Sequence, residues 1–110
     1  MAHPYLEQLR NLVRDVAIDD SDVICKHFFS GAAAYKHGKI FASLTPKGLA
    51  LKFSDTRCTD LLKNEFAEPL RYFENSPVKR GYVLFPEYSK LGVKNLKQYF
   101  RESESAAEHV

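Results

Sequence analysis

Lys36-His37-Gly38-Lys39-Ile40-Phe41-Ala42 carries the strongest structural signal in this chain. A two-residue step that contains glycine, placed between runs of β-forming residues, is typical of a tight hairpin turn. Two other stretches combine aromatic residues with a glycine: Phe28-Phe29-Ser30-Gly31 upstream and Arg80-Gly81-Tyr82-Val83-Leu84-Phe85-Pro86 downstream. The three stretches predict a small sheet, and they do not indicate a reaction.

Four short β-forming runs surround the central turn, at residues 23–29, 32–36, 39–44 and 49–53. The spacers between them hold two to four residues and contain Gly31, Gly38 or Gly48. Such spacing predicts consecutive antiparallel hairpins. We therefore expect a four-stranded meander, followed by two further strands at residues 70–73 and 82–85.

Three helices are predicted around these strands. Apolar residues recur at three- and four-residue steps from Tyr5 to Val16, which is typical of an amphipathic helix. Ser54 is expected to cap a second helix, which ends at Glu68-Pro69. Its predicted inward-facing residues are Leu61, Leu62 and Phe66.

The last helix is predicted to start near Ser89, as its cap, with Gly92 weakening the first turn. Its expected buried face consists of Leu91, Leu96 and Phe100, with Val93 beside it. Residues 103–110 are acidic and rich in alanine, and we expect them to fray.

The order of elements predicts one α+β domain over residues 1–110, with two layers and a mostly antiparallel sheet. The order is one helix, four strands, one helix, two strands and one helix. We expect the helices on one face of the sheet, because three apolar helix stripes can cover only one face. The predicted buried layer consists of Phe29, Ile40, Phe41, Leu49, Leu51, Tyr82, Leu84 and Phe85.

Composition places the chain among ordinary globular proteins. It has 110 residues, of which 45% are hydrophobic and 27% charged. No apolar stretch approaches the ~18 residues of a membrane span, and no basic start precedes an apolar run, so we expect neither a membrane span nor a signal peptide. Cys25 and Cys58 are isolated in the sequence and are expected to be buried free thiols, which favours the cytoplasm.

No arrangement of residues predicts catalysis, a metal site or a cofactor. The run Asp19-Asp20-Ser21-Asp22 lacks the glycine and the final glutamate of a calcium loop. Cys25 and His27 share one face of a predicted strand, but residues two apart lie roughly 6–7 Å from each other. A nucleophile and its base need ~3 Å, so packing explains this pair better.

Basic residues provide the functional lead. Residues 23–101 contain 14 basic and 6 acidic residues, between two acidic ends. Lys36 and Lys39 flank the central turn, and Lys79 and Arg80 precede the last strand. A third group, with Tyr88 and Tyr99 interleaved, consists of Lys90, Lys94, Lys97 and Arg101. Three interpretations stay open: a solvated surface, a nucleic-acid site with stacking tyrosines, and a surface for an acidic protein.

Lys79 and Arg80 follow Pro77 and precede Gly81, in a loop next to a buried strand. Binding residues commonly lie in loops that a rigid scaffold holds. The alternative is that the two cations protect the end of a strand against aggregation.

Five motifs in order resemble the N-terminal domain of the TfoX (Sxy) family of competence regulators. They are Phe28-Phe29-Ser30-Gly31, Gly38-Lys39-Ile40-Phe41-Ala42, Gly48-Leu49-Ala50-Leu51-Lys52-Phe53, Lys79-Arg80-Gly81-Tyr82-Val83-Leu84-Phe85-Pro86-Glu87 and the final helix with Leu96, Tyr99-Phe100 and Ala106-Ala107. The similarity covers about residues 5–107. Phe28 and Ser30 depart from the family, which usually has Met and Gly there.

The resemblance implies a two-layer α+β module, similar to the type III secretion chaperone arrangement, without enzymatic activity, cofactor or metal. It implies a regulatory role through protein binding, in transcription and competence, although the family's second, helical domain is not in this sequence. We expect a protein partner or a homodimer, through a sheet edge, the uncovered sheet face or the cations Lys36, Lys39, Lys79 and Arg80. Direct nucleic-acid binding is the alternative.

Overall fold

The computed structural model describes residues 4–16, 22–28, 30–71 and 75–108. Helices α1, α2 and α3 span Pro4–Val16, Asp55–Leu61 and Val93–Glu108, and a 3-10 helix spans Tyr88–Leu91. The strands, β1 to β6, span Val23–Phe28, Gly31–Lys36, Lys39–Thr45, Gly48–Lys52, Glu68–Pro69 and Tyr82–Phe85. They form one sheet in the order β1-β2-β3-β4-β6-β5, with antiparallel pairing throughout. The predicted α+β class and the four-stranded meander are confirmed.

Helices α1 and α3 pack on one face of the sheet. Helix α1 contacts β1, β2 and β3, whereas α3 contacts β2, β3 and β4. The centre of this layer is aromatic: the Phe41 and Phe100 rings meet edge to face at 6.3 Å, and Tyr99 stacks on Phe85 at 5.5 Å. Contacts of this kind add to the stabilisation from burial itself.

A bulge in β3 sets which side chains face the helices. Ala42 pairs with Ala34 and Ile40 pairs with Tyr35, so Phe41 is an additional residue on β3. Phe41 and Ala42 both belong to the core under the helices, whereas Ile40 packs on the opposite face. The bulge therefore places two consecutive side chains of β3, Phe41 and Ala42, under the helices.

The predicted buried layer is divided between these two faces. Phe41, Leu49, Leu51 and Phe85 lie under the helices. On the other face, Tyr82 and Leu84 form a smaller cluster with Ala50 and Leu70, against which the half-buried Ile40 packs. Phe29 lies outside the described residues.

Two glycines are required where strands meet closely. A Cβ atom on Gly31 would collide with the Leu44 carbonyl oxygen and lie 2.8 Å from Thr45 Cα. Gly48 has φ +132°, and a Cβ there would lie 2.6 Å from the Phe85 carbonyl oxygen. The glycine of the Phe28-Phe29-Ser30-Gly31 motif thus permits close approach to β3.

The segment between α2 and β6 differs from the prediction. Ser54 caps α2 as expected, because its Oγ accepts a hydrogen bond from the Arg57 N–H at 3.2 Å. The helix ends at Leu61, and Leu62 is 38% exposed, so its predicted inward position is wrong. Asn64 Oδ1 accepts from the Phe66 N–H at 2.8 Å, a local bond that competes with helix continuation.

The predicted strand at residues 70–73 is replaced by the short β5, Glu68–Pro69. Leu70 leaves the sheet and packs in the smaller cluster, and its carbonyl oxygen accepts from the Lys79 N–H at 2.8 Å. Residues 72 and 73 lie outside the described residues. Glu68-Pro69 therefore forms an edge strand and does not end a helix.

The C-terminal segment also differs. Ser89 lies inside the 3-10 helix and does not cap α3, because Gly92, with φ +84°, separates the two helices. Helix α3 continues to Glu108, so the predicted fraying from residue 103 is wrong for the part that the structure describes. Ser103, Glu104 and Ala107 are buried against the sheet, and their small or paired side chains allow close packing.

Candidate functional site

Both predicted basic turns lie at the same end of the sheet. Lys39 begins β3, and Lys79 and Arg80 precede β6. Since β3 and β6 both neighbour β4, they run about 10 Å apart. The Tyr82 hydroxyl spans this distance and donates a hydrogen bond to the Ile40 carbonyl oxygen at 3.4 Å. The fold thus gathers cations that are distant in sequence.

Lys36 has a different position from the other three predicted cations. Its Nζ lies 3.3 Å from Oε1 of Glu104 on α3, and the two side chains are only 17% and 11% exposed. A pair with so little exposure is screened weakly by solvent. Lys36 therefore links β2 to α3, and the exposed basic surface consists of Lys39, Lys79 and Arg80.

Arg80 is a highly exposed cation of this surface, and it pairs with Asp55. Its side chain is 86% exposed, and its guanidinium donates to Asp55 Oδ2 at 3.0 Å. Exposed pairs of this kind stabilise a fold by less than about 1 kcal/mol, so a ligand can displace Asp55 at little cost. The nearby Lys79 is exposed too, and its backbone bond to Leu70 fixes this part of the loop.

Lys52 is a further cation in this region, and it was not among the site residues predicted from the sequence. Its Nζ lies 5.1 Å from the centroid of the Tyr82 ring, between β3 and β6. Lys52, Asp55 and Arg80 line an open cavity of about 350 Å³. The sequence pattern could have indicated this position of Lys52. In the run Leu49-Ala50-Leu51-Lys52-Phe53, the alternation of side chains places Lys52 on the sheet face opposite to the helices.

The basic residues near the C-terminus do not form the predicted continuous stripe with stacking tyrosines. Lys90 lies in the 3-10 helix and pairs with Glu87 at 2.9 Å, and Gly92 separates it from α3. Tyr99 is 8% exposed and stacks on Phe85. Bases cannot stack on a ring that the core already covers.

A separate ion-pair network joins α2 to α3. Arg57 donates to Glu102 at 2.8 Å and to Asp60 at 2.9 Å, and its guanidinium lies 5.8 Å from the Tyr99 ring centroid. The hydrogen bond to Glu102 raises the pKa of Arg57. Arg57, Asp60 and Glu102 line a groove of about 720 Å³ together with Lys63, and these two cations and two carboxylates neutralise one another. The network holds the two helices together.

The nucleophilic side chains are poorly suited to catalysis. Burial raises the pKa of the Cys25 thiol, which is the opposite of what an activated nucleophile needs. Burial and the nearby Asp55 raise the pKa of Cys58 as well, and its thiol donates to the Phe53 carbonyl oxygen at 3.8 Å. Within residues 4–16, 22–28, 30–71 and 75–108, no three His, Cys, Asp or Glu side chains could hold a metal ion.

The two edges of the sheet differ. Strand β5 has two residues, of which one is a proline, and such an edge accepts a further strand poorly. Strand β1, at the other edge, has six residues and pairs with β2 without a register shift. Ile24 on β1 is 57% exposed. Within the part of the chain that the structure describes, β2 is the one strand that pairs with β1, so β1 forms an edge of the sheet.

No family model, curated protein or solved structure matches this chain. None of the helices in the described part of the structure is long and apolar enough to cross a membrane.

Proposed function

We propose that this protein is a non-catalytic regulatory module that acts in the cytoplasm by binding another protein. The open edge strand β1 carries this proposal, because an exposed edge can pair with a strand of a partner. The exposed Ile24 adds apolar surface at the same place. Cys25 and Cys58 are free cysteines, which agrees with a reducing compartment.

The ordered motifs that resemble the TfoX N-terminal domain support a role in transcriptional regulation. Their residues have structural roles in this chain: Gly31 and Gly48 permit close strand contacts, and Phe41 and Phe85 form the aromatic core. The resemblance therefore concerns the scaffold. The surface that selects the partner consists of β1 and of the basic surface of Lys39, Lys79 and Arg80.

Direct nucleic-acid binding is the competing function, and the geometry favours it less. Tyr99 is covered, and Lys36 and Lys90 are held in ion pairs with Glu104 and Glu87. A cluster of cations without exposed stacking partners still attracts phosphates, but this attraction falls steeply with salt. Titration of labelled duplex DNA and single-stranded RNA at low and moderate salt distinguishes the two functions.

Affinity capture with a matched pair of variants tests protein binding. Ile24→Lys places a charge on the open edge, whereas Val93→Lys makes the same change at a residue that is 61% exposed at the start of α3. We expect wild type and Val93→Lys to retain a shared partner, identified by mass spectrometry and confirmed with purified protein. Ile24→Lys should lose it. Equal retention by both variants would refute the edge as the binding site.

A further inference from the structure

We infer that the strand that pairs with β1 is β1 of a second copy of this chain. The inference rests on the proposed function and names its partner. The two strands run antiparallel about a two-fold axis at Ile24, and the sheet continues through both copies. The axis is perpendicular to the sheet. Side chains that lie opposite each other across the two β1 strands are therefore on the same face of the continuous sheet.

The geometry of β1 permits such pairing. All six residues of β1 pair regularly with β2, and the strand contains neither proline nor a bulge. The side chain of Lys26, which could repel another strand, lies over the ring of Tyr35 at 5.5 Å. Lys26 remains exposed on the same face of β1 as the apolar Ile24, which is 57% exposed.

Charge complementarity selects the position of the axis. With the axis at Ile24, the two Ile24 side chains face each other, and Asp22 of each copy faces Lys26 of the other. Opposite charges directly across a strand pair stabilise it, and like charges destabilise it. An axis at Lys26 would oppose two ammonium groups, and an axis at Cys25 would set Ile24 against Lys26. Of these three registers, the first combines an apolar centre with two opposite-charge pairs.

Asp22 is accessible to this second partner. Its carboxylate lies 3.2 Å from His37 Nε2, and its side chain is 52% exposed. An exposed pair of this kind is weak, so the carboxylate can also accept from Lys26 of the second copy. The contact involves few residues, and we expect a weak dimer that forms as the protein concentration rises.

Charge exchange tests the dimer and its register together. Asp22→Lys and Lys26→Asp each turn both opposite-charge pairs into like-charge pairs, so each variant alone should stay monomeric. In an equimolar mixture, a copy with lysine at both positions meets a copy with aspartate at both positions, and both pairs again join opposite charges. We expect the mixture to associate at least about fivefold more tightly than either variant alone.

Sedimentation velocity from micromolar to near-millimolar concentration measures this, with Val93→Lys as a control that should dimerise like wild type. Circular dichroism checks that both charge variants are folded. A wild type that stays monomeric would overturn the dimer. If Ile24→Lys nevertheless loses a captured protein, the proposed function still stands. A wild-type dimer without association in the variant mixture would overturn the register.

Discussion

The ammonium group of Lys36 lies 3.3 Å from Oε1 of Glu104, and this contact joins the central hairpin to the C-terminal half of α3. Glu104 is 8% exposed, which is unusual for a carboxylate outside an ion pair. The pair explains why a segment of acidic and small residues remains helical.

Removal of one partner should destabilise the fold. We expect Glu104→Ala to lower the free energy of unfolding by about 1–3 kcal/mol, because the largely buried Lys36 charge loses the Glu104 carboxylate. The double variant Lys36→Met/Glu104→Leu should recover most of this loss, because it removes both charges. Chemical denaturation measures all three proteins. A single variant as stable as wild type would show that the pair contributes nothing.

Leu51→Ala should cost roughly 2–5 kcal/mol, because Leu51 is fully buried between the helices and the sheet. Leu62→Ala is the matched control, since it removes the same atoms from a side chain that is 38% exposed. Its effect should stay below about 1 kcal/mol. Similar losses in urea denaturation would contradict the assignment of Leu51 to the core.

Gly48→Ala should destabilise the protein more than Gly38→Ala does. Both residues have positive φ, but a Cβ at Gly48 would lie 2.6 Å from the Phe85 carbonyl oxygen, and a Cβ at Gly38 would meet nothing within 4 Å. Gly38→Ala should therefore cost only the backbone strain, about 1–2 kcal/mol. The melting temperatures of the two variants give the comparison, and a reversed order would contradict the close approach of β4 and β6.

The two cysteines should make stability fall at alkaline pH. Burial raises the pKa of both thiols, so the unfolded chain ionises first as the pH rises. The protonated thiols make their full contribution to the free energy of unfolding below about pH 8.5, the pKa of an unperturbed thiol. This contribution is lost as the pH rises through the pKa values of the two thiols in the folded protein. Denaturation of wild type and of Cys25→Ala/Cys58→Ala across this range measures the effect. A parallel decline in both proteins would assign it to other groups.

Lys79→Ser/Arg80→Ser tests the exposed basic surface. Arg80 pairs with Asp55 at an exposed position, so thermal stability should change by less than about 0.5 kcal/mol. If the surface binds the captured partner, affinity for that partner should fall. Unchanged affinity would remove these residues from the site, and a loss of solubility alone would indicate protection against aggregation.

Local patterns were sufficient to predict the first half of the fold. The turns at Gly31 and Gly38, the alternation along the strands and the Ser54 cap depend on neighbours in the sequence. The later elements depend on distant contacts. Helix α3 is extended by Glu104 meeting Lys36 and by Ser103 packing against the sheet, and neither residue has an apolar pattern. The Leu70 segment leaves the sheet for a cluster with residues of β4 and β6.

Local sequence patterns also predicted part of the candidate site. The positions of Lys79 and Arg80 before a buried strand predicted their exposure. The sequence could not show that Lys36 contacts α3, because this contact depends on which face of the sheet α3 packs against. It also could not show that β1 forms the edge of the sheet, since strand order follows from long-range pairing.

The additional residue at Phe41 decides where a change in the length of β3 is critical. Before the bulge, Ile40 faces the small cluster, and after it, Ala42 and Leu44 face the helices. Deletion of Phe41 itself would leave Ile40 opposite Tyr35 and Ala42 opposite Ala34, so both side chains would keep their faces. Deletion of Ser43 would instead turn Leu44 to the other face of the sheet, a greater disturbance than most single substitutions. Changes of length in β3 outside the bulge should therefore be tolerated less well than substitutions.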